Sequence, residues 1–270
     1  MTGEAGAGAW GSALSAQEFA AVEDAGFDPV GQVLGTTVHH LGYTGNRCAY
    51  MWSSGEDTSV SSTRWAPFSE LVQAMYQARR RALDRAVEEC RALGGDGVVG
   101  VRLRTGPFPA GGTEFTAVGT AVRARSRTRP VRPFTTHLGG QDFSRLAGNG
   151  WVPTGLAFGI SIATRHDDLG TRRQSGRFAG NREVLGYTEL VTHARRDARA
   201  QLAARAAANG GDGVVLDTVD LRVRAQDCGR GYVDHVAEAV FAGTSVARFG
   251  RSARHTGPRP LTIMRLEREH

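Results

Sequence analysis

The stretch Gly94-Gly95-Asp96-Gly97-Val98-Val99 returns 116 positions later as Gly210-Gly211-Asp212-Gly213-Val214-Val215. Each time, a long segment of helical spacing runs up to the glycine pair and an apolar run leaves it. Glycine adopts the left-handed conformation that closes a helix, so the pair reads as a helix stop and the valines as the start of a strand. Before the first pair, Leu71, Met75, Ala78, Ala82, Ala86, Cys90 and Leu93 recur at three- and four-residue steps. That spacing makes one apolar stripe of a helix over about 69–93. Its counterpart runs over about 187–209. After the first pair, Val99, Val101 and Leu103 alternate with Gly100, Arg102 and Arg104, the period of a strand.

Outward from this stretch the matching continues. Leu14-Ser-Ala-Gln17-Glu-Phe19 is answered by Leu138-Gly-Gly-Gln141-Asp-Phe143, and Gly26-Phe-Asp-Pro29-Val-Gly31 by Gly150-Trp-Val-Pro153-Thr-Gly155. Gly35 is answered by Gly159, and Gly119-Thr-Ala-Val122 by Gly243-Thr-Ser-Val246, all 124 positions apart. The offset changes only between periodic segments, where loops absorb length differences. Each copy reads as a short helix or turn (16–24 and 141–147), a strand (30–39 and 154–164), a variable loop, the long helix, a second strand and a third (114–125 and 238–249). The expected class is α+β: two tandem β-α-β-β domains, each with one long helix packed on a small, mostly antiparallel sheet. The expected boundaries are 13–125 and 137–249, with an Arg/Pro linker at 126–136 and flexible tails at 1–12 and 250–270.

Of the 270 residues, 40% are hydrophobic and 22% charged, which supports a core and excludes wholesale disorder. Three cysteines exclude a disulfide scaffold and suit a reducing compartment. No apolar run approaches the roughly 20 residues that span a bilayer. The first ten residues hold no basic side chain and carry Glu4, which argues against a secretory signal. The expectation is a cytoplasmic protein with no membrane insertion. The net charge is +6 and the pI about 9.9, which favours an anionic partner. Yet all 33 basic residues are arginine, a bias that a GC-rich genome produces as readily as selection for phosphate contacts.

Ala78-Arg79-Arg80-Arg81-Ala82-Leu83, then Ala92-Leu93-Gly94-Gly95-Asp96-Gly97-Val98-Val99-Gly100-Val101, then Gly119-Thr120-Ala121-Val122 resembles the YbjQ-like family of heavy-metal-binding domains. The second copy matches more loosely, through Ala194-Arg195-Arg196, Gly210–Val215 and Gly243–Val246. The resemblance implies a dodecin-like β-α-β-β fold that assembles into rings, often pentamers, with no attached catalytic activity. Through the family label it implies a bound transition-metal ion. The chain departs from the family in the loop after the first strand, and in the glycines that flank Asp96 and Asp212 where the family has alanines.

Thiolate and imidazole are the ligands of soft metals. The candidates are Cys48, Cys90, Cys228 and eight histidines, none at Cys-x-x-Cys or His-x-x-x-His spacing. Cys90 lies on the apolar stripe opposite Ala206 of the second copy and reads as a filler of a small site. Cys228 lies in a hairpin insertion, Ala225–Gly231, and reads as an exposed, incidental thiol. His39 and His40 are adjacent in a strand and point to opposite faces. His40 with Cys48, across the following loop, is the remaining metal pair. None of these has a partner of its own type in the other copy. Enzyme motifs are missing: there is no Gly-x-Ser-x-Gly elbow, and a Walker A loop needs a lysine. Asp96 and Asp212 read as turn-bonding residues, and Glu114 and Glu238 as strand-end carboxylates. Asp217 falls opposite Val101, on the apolar face, where it would need a bulge or an intersubunit Arg contact.

The expected function is a non-enzymatic, oligomeric binding or scaffold protein with a heavy metal or small ligand. The alternative is an Arg-rich binder of nucleic acid or another polyanion through Arg79, Arg80, Arg85, Arg195, Arg196 and the Arg123–Arg132 run. Nucleic acid is not favoured, because that run also reads as a strand end followed by an extended proline linker. Open strand edges invite self-association into a ring or other homo-oligomer. Five chains could stack two rings, the copies could alternate in one even ring, or they could pair within one chain. Leu83 and Val87 correspond to Arg199 and Ala203, a divergence that gives the two helices different surroundings and favours the homo-oligomer.

Overall fold

Ser15-Ala-Gln-Glu18 forms a reciprocal cap. The Glu18 amide donates to Ser15 Oγ at 3.3 Å while Glu18 Oε2 accepts from the Ser15 amide at 2.9 Å. This opens α1 (Ala16–Asp24) by satisfying amides that the first turn leaves unpaired. A computed structural model describes residues 14–41, 59–61, 66–127, 129–229, 232–249 and 263–265. After α1 come β1 (Phe27–His39), β2 (Ser59–Ser61), α2 (Ala66–Ala92), β3 (Gly97–Pro107), β4 (Thr113–Ala124) and β5 (Phe134–Thr135). Then follow α3 (Gly140–Gly148), β6 (Trp151–His166), α4 (Leu169–Ser175), α5 (Leu185–Ala208), β7 (Gly213–Gly229), β8 (Tyr232–Arg248) and β9 (Ile263–Arg265). The chain is α+β, with two mostly antiparallel sheets of strand order β1-β4-β3-β5 and β2-β6-β8-β7-β9.

Two compact units share the chain, and neither is one continuous stretch. The first comprises 1–39, 78–155 and 246–260; the second comprises 40–77, 156–245 and 261–270. In the first, Ala78, Ala82, Ala86 and Cys90 of α2 are all at most 2% exposed and form its sheet-facing row. A Cβ built on Gly35 of β1 would collide with the carbonyl oxygen of Ala82, so only glycine lets helix and strand approach this closely. In the second unit Leu190, Ala194, Ala198, Leu202 and Ala206 of α5 make the corresponding row. A Cβ on Gly159 of β6 would collide with the Ala198 carbonyl.

The helix stops agree in detail. Gly94 (φ 70°) and Gly95 donate to Arg91 O and Cys90 O, both at 2.8 Å. Gly210 (φ 76°) and Gly211 donate to Ala207 O and Ala206 O, both at 2.9 Å. Within the first unit α1 packs on α3, and Gln141 Nε2 donates to Gln17 Oε1 at 3.3 Å. The edge of β1 is covered by its own helix: Glu89 accepts from the Leu34 amide at 2.7 Å, and Arg85 donates to Thr36 O.

Several sequence expectations change. Strand β3 does not alternate without a break. Gly100 (φ 61°) makes a bulge between Val99 and Arg102, so Val98, Val99 and Val101 are all buried. Asp217 is exposed and accepts from Thr218 Oγ1 at 3.1 Å, because β7 turns its later residues to solvent, as Val219 (57% exposed) also shows. The loop after β6 contains α4, capped by Asp168. Within the stretch read as a tail, Ile263–Arg265 pairs antiparallel with β7.

Candidate metal centre

Strand β6 is buried almost throughout from Ala157 and ends at His166, with Asp167 and Asp168 directly after it. Strand β8 begins near Asp234-His235. The Asp167 amide donates to Val233 O at 3.1 Å, which brings these two ends together. Successive strand residues face opposite sides. His166 therefore meets Asp234 on one face, Nδ1 to Oδ1 at 2.6 Å, with the two residues 8% and 2% exposed. On the other face Asp167 meets His235 (Oδ2 to Nε2, 3.3 Å) and Tyr187 of α5, whose hydroxyl is 3.2 Å from both carboxylate oxygens and 2.9 Å from His235 Nε2. Burial, with the Asp167 charge adding to it, pushes the Tyr187 phenol above its usual pKa. Asp168 turns back to accept the Thr171 amide at 2.6 Å. That backbone bond holds its carboxyl below the usual range, and Arg165 assists.

Cys228 lies at the end of β7, part-buried. It is disulfide-bonded, not the exposed, incidental thiol read from the sequence. One potential ligand atom each of His166, Cys228 and Asp234 lies within 4.8 Å of the others. Among the described residues this is the one such group of three. Imidazole nitrogen, carboxylate oxygen and sulfur together suit a borderline divalent cation of the zinc class. The sulfur becomes a strong ligand only as a thiolate.

The sequence candidates fall elsewhere. His40 is exposed at the end of β1, and Cys48 lies outside the described residues. His39 sits edge-on to Phe115, and burial, reinforced by Arg81 and Arg85, lowers its pKa. Cys90 is fully buried and donates to Gly97 O at 3.4 Å; burial pushes its thiol up to about 11. Arg79 stands 5.2 Å from the Phe115 ring centre, Arg80 is 3.8 Å from Asp84, and Arg85 holds Thr36 O. Arg195 and Arg196 are exposed on α5. Arg196 lines an open groove of about 360 Å³ with Arg165, Glu189 and His193, where Glu189 already pairs with Arg165 at 2.9 Å.

Three arginines of the 123–132 run serve the fold. Arg123 donates to Leu93 O and Gly94 O at 2.7 and 2.9 Å, capping α2. Arg125 pairs with Asp28, and Arg129 pairs with the buried Asp96 at 2.9 Å. Asp96 also accepts the Ala124 amide at 2.8 Å, whereas Asp212, its sequence match, is exposed.

The sequence reading overlooked His166 and Asp234. Requiring each ligand to be matched 116 or 124 positions away discards a site that has no such counterpart. The available signal was the mirrored dipeptides His166-Asp167 and Asp234-His235 at two strand ends, which antiparallel pairing sets His against Asp.

A protein of Mycobacterium tuberculosis named "Encapsulin nanocompartment protein Rv1762c" is 33% identical over 249 residues, covering 88% of this chain and 86% of that protein. The chain belongs to its family. The family model described as "Putative heavy-metal-binding" matches residues 58–125. UPF0145 proteins of Halorubrum lacusprofundi and Archaeoglobus fulgidus are 49% identical over 54 residues and 45% over 56, 20% and 21% of this chain and 52% of each relative. The heavy-metal description implies a metal ion, and the nitrogen, oxygen and sulfur donors at 166, 234 and 228 fit one. All three lie outside the stretch 58–125, so the description itself supplies none of them.

Proposed function

We propose that the chain is a non-enzymatic, self-associating scaffold protein, built from two tandem copies of one dodecin-like β-α-β-β unit, that holds a transition-metal ion at one end of its second unit. The observation that carries the metal assignment is the convergence of His166, Asp234 and Cys228. The two-copy reading, with boundaries at 13–125 and 137–249, draws support from Gly35 and Gly159. Each meets a helix carbonyl in the same way, as the two glycine helix stops also match. Self-association draws support from the nanocompartment name of the M. tuberculosis relative. A cytoplasmic setting, with its thiol reductants, would favour the thiolate form of Cys228.

The same reading treats part of the arginine content as structural, since Arg79, Arg80, Arg85, Arg123, Arg125 and Arg129 each engage a group of the protein itself. Native mass spectrometry of the purified full chain tests the proposal. The expected spectrum shows multiples of the 28.8 kDa chain with one divalent metal per chain. A metal-free species at the mass of one chain alone would reject both parts. Steeply salt-dependent retention on heparin would instead favour a polyanion binder.

A further inference from the structure

We propose that Asp167, Tyr187 and His235 form a second metal site, with harder ligands than the first, that takes ferric iron. It goes beyond the metal reading above and shares no ligand with it. Strand alternation puts His166 and Asp234 on one face and Asp167 and His235 on the other. The phenol oxygen of Tyr187 is 2.9 Å from His235 Nε2 and 3.2 Å from each oxygen of Asp167. His235 Nε2 is in turn 3.3 Å from Asp167 Oδ2. A cation bonded at about 2.0–2.2 Å holds neighbouring ligand atoms about 2.8 Å apart at a right angle and up to about 3.6 Å apart at the tetrahedral angle. All four contacts fall in that range, so one ion can bond the phenol oxygen, the carboxylate and the imidazole with little movement of the side chains.

Protons alone do not account for the four contacts. The phenol brings one, an imidazole Nε2 at most one, and a carboxylate none. At most two of the contacts can therefore be full, linear hydrogen bonds. The remaining lone pairs gather around one point, and a cation satisfies them together.

The three ligands stand on fixed backbone. The Asp167 amide donates to Val233 O at 3.1 Å, which ties the end of β6 to β8. Tyr187 lies in the first turn of α5, its amide donating to Val184 O at 3.0 Å. A Cβ at Gly186 would come within 2.5 Å of Arg165 Nε and Thr171 Oγ1, so the missing side chain lets this turn close on β6 and α4. Arg165 bonds Asp168 at 3.0 Å and Glu189 of α5 at 2.9 Å, which anchors the same corner. The side chains of His235 and Asp167 are 19% and 11% exposed, enclosed enough to be held and open enough for an ion to enter.

The donor set selects the metal. It has two kinds of oxygen, one nitrogen and no sulfur. Calcium and magnesium take oxygen alone, whereas imidazole suits iron, copper, nickel and zinc. Among these, a phenolate and a carboxylate favour the hardest and most highly charged ion, Fe³⁺. On binding, the phenol proton passes to water and the cation takes the oxygen lone pair in its place. The oxidation state of the iron does not change.

The test titrates the metal-free full chain with Fe³⁺ supplied as its nitrilotriacetate complex. Visible absorbance reports phenolate ligation through a phenolate-to-iron charge-transfer band, and iron retained after desalting gives the stoichiometry. The expected result is the band in the wild type, saturating at one iron per chain, and its loss in Tyr187→Phe. Removing a group behind a ligand costs about 10–100-fold in metal affinity, so removing a ligand itself should cost at least about tenfold. His235→Gln, which keeps the phenol, should retain the band and bind at least about tenfold more weakly. No iron binding, or binding without the band, overturns the proposal from the wild type alone, so the test stands even where a variant fails to fold. A band that survives in Tyr187→Phe, or undiminished affinity in His235→Gln, places the iron elsewhere and also overturns it. Zinc binding at His166 and Asp234 is measured separately, and its outcome does not decide this one.

Discussion

His166 and Asp234 show what one buried contact does for this fold. Replacing Asp234 by Ala removes an acceptor 2.6 Å from His166 Nδ1 and leaves a buried ring nitrogen without that partner. Such a loss costs about 1–3 kcal/mol, and urea unfolding of Asp234→Ala should show it. Cys90 makes a contrasting case at the same scale. Its thiol, pushed up to about 11 by burial, stays protonated and shielded at ordinary pH. Iodoacetamide at pH 8 should leave Cys90 unmodified in the native chain and label it fully in denaturant; labelling of the native chain would contradict the burial. Asp168 gives a pH dependence with a definite sign. Its folded pKa lies below its unfolded value, chiefly through the Thr171 amide. The stability it contributes is complete above the unfolded value of about 3.9 and is lost as pH falls through the lower folded value. The stability gap between the native chain and Asp168→Asn should therefore be constant near neutrality and shrink below about pH 4.

At the scale of elements, much was legible beforehand because glycine and alanine leave clear periodic marks. The long helices follow from apolar positions spaced along one face, and their stops from the Gly94-Gly95 and Gly210-Gly211 pairs. The pairing of Gly35 with Gly159 in sequence became a shared contact in space, each strand meeting a helix carbonyl. Introducing a methyl group there must push helix from sheet. Gly35→Ala and Gly159→Ala should each cost at least about 1–3 kcal/mol in denaturant unfolding, and near-neutral variants would mean that the helices do not lie this close. What the sequence hid was non-local. The bulge at Gly100 depends on a neighbouring strand. The fate of Asp217 depends on how far β7 outruns its helix. The group of His166, Asp234 and Cys228 depends on strand ends 68 residues apart and on the end of β7. The edge of β1 belongs here too. Glu89 and Arg85 of α2 bond its outward amide at Leu34 and carbonyl at Thr36, which blocks strand addition in the manner of protected sheet edges. Sedimentation of the Arg85→Ala, Glu89→Ala double variant should show added, larger species; an unchanged profile would mean that these contacts do not guard the edge.

The whole molecule is an α+β chain with one candidate metal group of His, Cys and Asp among its described residues. The chain shares its family with the M. tuberculosis relative, and its strands form two mostly antiparallel sheets. The site sits in the second compact unit, outside the stretch that the heavy-metal family description covers. No helix among the described residues is long and apolar enough to cross a membrane. The 33 arginines, which first raised the prospect of an anionic partner, are in several cases consumed by helix ends and buried carboxylates. The measurement that tests the central claim most directly is anomalous diffraction at the zinc edge from crystals of the reduced full chain grown with zinc. The account predicts a peak within bonding distance of His166, Cys228 and Asp234. Zinc peaks confined to other residues, or none at all, would contradict it.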